Sequence, residues 1–170
     1  MSSDAIGARL AAVRLAAFDV DGVLTDGRFY LSDDGVESKA FCTLDGYGIR
    51  RLLEAGVAVA IISGRQSTSV RRRMTELGVE HVFLGCSDKV AVFDALIAKL
   101  GLKPSECAYT GDDVPDLPLL RHAGIAVAVA NAHPDIVRDC DIVTEGRGGF
   151  GAVREVCDRL LSARKRPTPA

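Results

Sequence analysis

The sequence predicts an α/β protein with a doubly wound, Rossmann-like parallel sheet, helices on both faces and one inserted β-hairpin. Three observations lead there. Apolar runs of strand length recur without polar alternation, the pattern of strands buried on both faces. Longer amphipathic stretches separate them, giving the strand–helix rhythm of crossover connections. The acid-rich and glycine-rich clusters fall directly after the apolar runs, at the carboxyl ends where open α/β sheets build their sites. At 170 residues, 48% hydrophobic and 26% charged, residues 1–170 have the size and composition of one globular domain.

The elements follow in order. Leu15 to Val20 is the first strand, ending in acids and Gly22. The insert covers about 27–42: Gly27 to Leu31, the turn Ser32-Asp-Asp-Gly35, then Val36 to Cys42, the chemistry of a β-hairpin. Asp45 to Ala55 is a helix closed by Gly56, Val57 to Ile62 a strand, and Gln66 to Leu77 a helix closed by Gly78. Strands are expected at His81 to Leu84, Cys107 to Thr110, Ile125 to Val129 and Ile142-Val143. Helices are expected at Asp88 to Leu100, Pro115 to His122, Pro134 to Asp139 and Ala152 to Leu161, with a frayed polar tail over 164–170.

Composition excludes several classes. A formal charge of −2 offers neither nucleic acid nor an anionic membrane an electrostatic footprint, and without Trp a base-stacking platform is poorly supplied. Cys42, Cys86, Cys107, Cys140 and Cys157 are odd in number, scattered and free of any C-x-x-C pair, so they predict thiols in a reducing cytoplasm. The first apolar run is short and broken by Arg14, which fits neither a signal peptide nor a membrane span.

Four clusters converge on one rim of the predicted sheet: Asp19-Val-Asp21-Gly, Ser63-Gly-Arg65, Lys89, and Gly111-Asp112-Asp113-Val-Pro-Asp116. Phosphoryl transfer calls for these residue types. A phosphate monoester repels nucleophiles, and Mg2+, a hard ion that prefers oxygen ligands, offsets its charge. Asp19, Asp21 and Asp112 suit that ion. Asp19 suits the nucleophile and Asp21 the acid that protonates the leaving oxygen and later takes a proton from water. Ser63 and Lys89 suit stabilisation of the charge spread over the transferring group. Asp113 and Asp116 support the third cluster.

Taken singly, each of these is more often a cap, a turn residue or a solvated charge; their order and shared rim carry the reading. Gly146-Arg-Gly148-Gly-Phe-Gly151 spells G-x-G-x-x-G, but no strand and ribose-binding acid follow, so it predicts no dinucleotide site. Arg71-Arg72-Arg73 reads as a solvated helix face with Arg73 as the exception, and His81, His122 and His133 lack mutual metal spacing.

These four clusters resemble the motifs of the haloacid dehalogenase superfamily. Further segments narrow the likeness to its capless family of 3-deoxy-D-manno-octulosonate 8-phosphate phosphatases, from about Val13 to Leu161. They are Phe-Asp-Val-Asp-Gly-Val-Leu-Thr-Asp-Gly (18–27), Asp-Gly-Tyr-Gly-Ile-Arg (45–50), Ala-Val-Ala-Asn-Ala-His-Pro (128–134) and Gly-Ala-Val-Arg-Glu-Val-Cys (151–157). The resemblance implies a magnesium-dependent phosphatase of an acidic sugar phosphate, working through an aspartyl-phosphate in lipopolysaccharide precursor synthesis. It implies no cap domain, because residues 27–62 accommodate only a hairpin and a helix. It also implies a homotetramer whose hairpins pack together and whose neighbouring subunit closes the site. Substrate contacts are implied for Cys42, Thr43, Leu44, Asp45, Gly46, Arg50, Gly64, Arg65, Arg73 and Lys89. The chain departs from the common family pattern at Cys42, Leu44 and near Phe150. A phosphatase of a nine-carbon sialic-type sugar phosphate is the alternative, and a non-catalytic regulatory module a more distant one. Asp21 argues against a dehalogenase, whose chemistry needs no acid there.

Overall fold

A computed structural model of the chain describes residues 3–165. Six parallel strands form one sheet in the order β5-β4-β1-β6-β7-β8. They are β1 (Leu15–Phe18), β4 (Ala58–Ser63), β5 (His81–Leu84), β6 (Cys107–Gly111), β7 (Ile125–Ala128) and β8 (Ile142–Val143). The chain starts in the middle of the sheet, builds outward through β4 and β5, then returns to β6 on the other side of β1. That reversal between β1 and β6 opens a crevice at their carboxyl ends.

The inner strands β4, β1, β6 and β7 bury both faces, which explains their unbroken apolar runs, while the edge strands β5 and β8 are only partly buried. Ala16 and Phe18 of β1 join Val59, Ile61, Ala108 and Val127 in one core layer; Leu15 and Ala17 join Ala60, Ile62, Tyr109 and Ala126 in the other. The first layer is covered by α1 (Ser3–Ala11), α2 (Thr43–Glu54), α3 (Thr68–Leu77) and α7 (Ala152–Lys165), the second by α4 (Lys89–Leu100), α5 (Leu117–His122) and α6 (Pro134–Val137). The expected stops at Gly56 and Gly78 hold, and Gly101 closes α4 in the same way. Gly56, Gly78 and Gly101 all take positive φ after α2, α3 and α4, where a side chain would be strained. Asp88 caps α4 by accepting from the Ala91 N–H at 3.0 Å.

Three features differ from the sequence expectation. Helix α1 was not foreseen; Ile6 and Leu10 pack it against the core beside α7. Helix α7 continues to Lys165, and Arg164 donates to the Val13 carbonyl at 2.8 Å, so residues 164 and 165 belong to the fold. The rest of the expected tail, 166–170, lies outside the described residues. The hairpin is shorter than expected, with β2 (Tyr30–Leu31) pairing antiparallel to β3 (Glu37–Ser38). Gly35, at φ 81°, makes its turn. Among the described residues no helix is long and apolar enough to cross a membrane.

Candidate active site

The register of the sheet assembles the site. Phe18 lies level with Thr110 of β6, and the Asp19 N–H donates to the Thr110 carbonyl at 3.0 Å. The residues that leave β1 and β6, Asp19 and Asp112, are thereby brought side by side. Carboxylate oxygens of Asp19, Asp112 and Asp116 all lie within 4.8 Å of one another. Lys89, at the first turn of α4, reaches into this group, donating to Asp19 Oδ1 at 2.6 Å and Asp116 Oδ1 at 2.7 Å.

Asp116 is held from three further directions. Tyr109 Oη donates to its Oδ1 at 2.6 Å, and the Asp112 and Asp113 N–H groups point to its Oδ2 at 3.0 and 3.4 Å. Asp113 turns its own side chain to the Val114 N–H and caps the short turn Val114–Asp116. Ser63 is buried at the end of β4, its hydroxyl accepting from the Arg65 N–H at 3.3 Å. Gly64 follows it beneath the Cys86 carbonyl.

The electrostatics show what this group can hold. Burial, and then the Asp116 charge, push the Asp19 carboxyl up to about 6 against the pull of Lys89. Burial, then Asp19 and Asp116, push Asp112 up to about 7. Burial also opposes the charge on Lys89, but Asp19 and Asp116 outweigh it and raise its pKa above the ordinary lysine value. Three carboxylates facing one ammonium leave surplus negative charge on hard oxygen donors, which a magnesium ion is suited to balance. The residues present therefore fit the metal, with Asp19 and Asp112 as expected and Asp116 as a third carboxylate within reach.

Asp21 is placed differently from the metal ligand expected of it. Its carboxylate turns from the three-acid group to the hairpin, where Lys39 Nζ donates to Oδ1 and Arg65 Nε lies 3.7 Å from Oδ2. Arg65 is in turn bound to Glu37 Oε2 at 2.7 Å and lies over the Phe29 ring, 4.3 Å from its centroid. Sequence reasoning missed Lys39, Glu37, Phe29 and Tyr109. A lysine in a hairpin carries no mark that it will fold inward, and Tyr109 reads as one more residue of an apolar strand.

Of the expected substrate segment, Cys42 and Thr43 begin α2 and Leu44 is exposed. Asp45 needs correction. Only 1% exposed, it turns inward, and Oδ1 accepts from the Arg154 N–H at 2.8 Å, capping the first turn of α7. Burial raises its pKa. Its carboxylate is a strut between two helices, unavailable to a ligand. Gly46 leaves room for Arg73, whose guanidinium a Cβ there would strike. Arg73 also pairs with Glu76 at 3.4 Å, and Arg50 donates to the Glu76 carbonyl at 2.9 Å, so these two arginines share the seam between α2 and α3.

The glycine-rich segment 146–151 has a different task from the dinucleotide loop that it spells. Gly149 N–H donates to the Val23 carbonyl at 2.9 Å, Gly148 N–H donates to Asn131 Oδ1 at 2.7 Å, and a Cβ at Gly148 would collide with the Gly22 carbonyl. Glycines let this backbone lie directly on the loop after β1. Gly22, at φ 88°, likewise leaves the space that Asp112 fills. His133 caps α6 through the Asp135 N–H, and His122 pairs with Asp94 at 2.7 Å; both are structural contacts.

Comparison with known proteins agrees with this arrangement. Residues 85–148 match the profile of the haloacid dehalogenase-like hydrolases. The 3-deoxy-D-manno-octulosonate 8-phosphate phosphatase KdsC of Escherichia coli K12 is 47% identical over 163 residues, covering 96% of this chain and 86% of that protein. The crystal structure of the phosphatase of the same name from Yersinia pestis superposes with a TM-score of 0.93 at 44% identity, covering 96% of this chain and 88% of that one. The Moraxella catarrhalis phosphatase, solved in complex with magnesium ion, phosphate ion and a KDO molecule, also gives 0.93, at 42% identity and 96% and 94% coverage. The chain belongs to the haloacid dehalogenase-like hydrolases, and within them to the family of the 3-deoxy-D-manno-octulosonate 8-phosphate phosphatases.

Proposed function

We propose that the protein is a magnesium-dependent phosphomonoesterase that hydrolyses 3-deoxy-D-manno-octulosonate 8-phosphate to the free sugar acid and phosphate. The observation that carries this reading is the buried Asp19, held by Lys89 and facing Asp112 and Asp116 at the carboxyl edge of the sheet. Likeness to phosphatases of that name supports the substrate. When bound among Asp19, Asp112 and Asp116, magnesium supplies charge neutralisation for the phosphoryl oxygens.

The chain's own residues then divide the work. A carboxylate oxygen of Asp19 attacks phosphorus while the bond to the sugar oxygen breaks, and Asp21 gives that oxygen its proton. Asp21, now ionised, takes a proton from a water molecule that attacks phosphorus, and the bond to Asp19 breaks to release phosphate. Lys89 holds the nucleophile in place throughout, and the Ser63 hydroxyl is available to the transferring group. Arg65, half-exposed beside Asp21, offers the free part of its guanidinium to the substrate's carboxylate, a match that a planar fork makes well. Cys42, Thr43, Leu44, Gly46, Gly64, Arg50 and Arg73 complete the proposed substrate side, within a subunit or across two.

Residues 1–170 act in this reading as one capless domain, so something else must shield the aspartyl-phosphate. A second copy is the proposed shield. The hairpin leaves Tyr30, Leu31 and Val36 exposed at 65%, 66% and 58%, a cost in water that packing of hairpins in a tetramer would remove. Replacing Tyr30 with Ser and Leu31 with Asp together is expected to reduce the mass seen by light scattering from a tetramer to a smaller species. An unchanged tetramer removes the hairpin from the interface. Five free thiols fit a reducing cytoplasm as the setting.

The substrate is tested by phosphate release, with magnesium, from the eight-carbon sugar phosphate and from 2-keto-3-deoxynonulosonate 9-phosphate. The expected result is a higher kcat/KM for the eight-carbon compound. A preference of tenfold or more for the nine-carbon one overturns the assignment.

A further inference from the structure

The hairpin does more than expose apolar side chains. Its returning strand sends Lys39 inward, where the side chain is wholly buried, bonded to Asp21 Oδ1 and 3.6 Å from Glu37 Oε1. The ammonium also lies 5.5 Å from the centre of the Phe29 ring. Glu37, two residues back on the same side of the hairpin, binds Arg65 at 2.7 Å and accepts from the Ser67 hydroxyl at 3.1 Å. Residues of the hairpin therefore grip both groups that stand at the mouth of the site, Asp21 and Arg65.

Burying a lysine is costly unless its charge is paired. An arm serving only for assembly would keep such a side chain in water. Here the lysine faces Glu37 of its own hairpin and, at closer range, the carboxylate of Asp21, the residue assigned the proton transfers. Asp21 stands on the loop leaving β1, with two side-chain torsions to settle. One cation on Oδ1 and another facing Oδ2 fix both the position and the plane of the carboxylate.

We propose that Lys39 is a positioning residue of the phosphatase: contributed by the hairpin of the same subunit, it aims Asp21 at the two reacting oxygens, the leaving sugar oxygen that gains a proton and the water oxygen that loses one. The inference rests on the phosphatase reading above and adds to it a role for the insert in chemistry as well as assembly. Misplacing a proton-transfer group by about 1 Å costs on the order of a hundredfold in rate. Loss of Lys39 is therefore expected in kcat, with little change in KM.

The test uses full-length Lys39→Met and Lys39→Arg with magnesium, assayed on 3-deoxy-D-manno-octulosonate 8-phosphate and on p-nitrophenyl phosphate. Lys39→Met is expected to lower kcat at least about tenfold on both substrates while KM stays within about threefold. Lys39→Arg, which keeps the cation, is expected to recover to within about threefold of the parent protein. A smaller loss in Lys39→Met overturns the inference, as does Lys39→Arg remaining as slow as Lys39→Met at an unchanged Tm. Should Lys39→Met lower Tm, the arginine variant alone decides. The p-nitrophenyl phosphate arm keeps the two readings apart: a parent protein that hydrolyses it but not the sugar phosphate refutes the substrate, and Lys39 is still judged on the simple ester.

Discussion

Asp19→Asn is expected to lower kcat by about ten-thousandfold or more, the scale seen when a covalent nucleophile is removed. The amide cannot form the acyl phosphate, and Asp116, the other carboxylate bound to Lys89, is already held by Tyr109 and two backbone N–H groups. The same change should leave the fold intact and, without magnesium, raise Tm. The carboxyl of Asp19 is pushed up to about 6 in the folded protein by burial and Asp116, which means that its ionised form opposes folding at neutral pH. Differential scanning calorimetry in EDTA measures one effect and phosphate release the other. A variant that keeps a tenth of its activity defeats covalent catalysis by this residue.

Removal of metal gives the second large effect. With EDTA, phosphate release should cease and return on adding magnesium, and stability should depend on pH in a stated direction. Asp112 sits at about 7 when folded, against the ordinary carboxylate value of 3.8. Below the lower value both states hold the proton and nothing is lost. Between the two, the unfolded chain gives up its proton while the folded one keeps it, so this group's contribution to stability falls as pH rises; above about 7 the penalty is constant. Tm in EDTA is therefore expected to decline from pH 4 toward pH 7, and the gain from magnesium to be larger at pH 7.5 than at pH 5. Magnesium at about a hundred times its Kd adds ~2.7 kcal/mol, roughly 5–10 °C at this chain length. Asp112→Asn should raise Tm in EDTA and abolish most of the magnesium-induced rise. Retention of the full rise would remove Asp112 from the metal site.

The acids of the site were legible because parallel strands deliver whatever follows them to one edge. The expected strand ends at Val20, Ile62 and Thr110 lie within two residues of the observed ends at Phe18, Ser63 and Gly111, close enough to bring Asp19, Ser63 and Asp112 to one edge. Helix stops were legible for a similar reason, since Gly56 and Gly78 announce a backbone conformation that few other residues adopt. What the sequence could not show was set by partners far along the chain. Asp45 looks like a ligand of the sugar until Arg154 is found 109 positions away with an N–H to satisfy. Helix α1 is short and carries Gly7, and its stability comes from packing beside α7. Lys39 has the same origin, because only the folded hairpin reveals that its neighbour is Asp21.

The glycine segment laid over the nucleophile loop also sets an order of events during synthesis. Gly22 and Val23 leave the ribosome with β1, long before Gly148 and Gly149, which rest on them. β1 too waits for β6 before its second edge is covered. The loop that carries the nucleophile is therefore left without its glycine brace until residue 149 has been made.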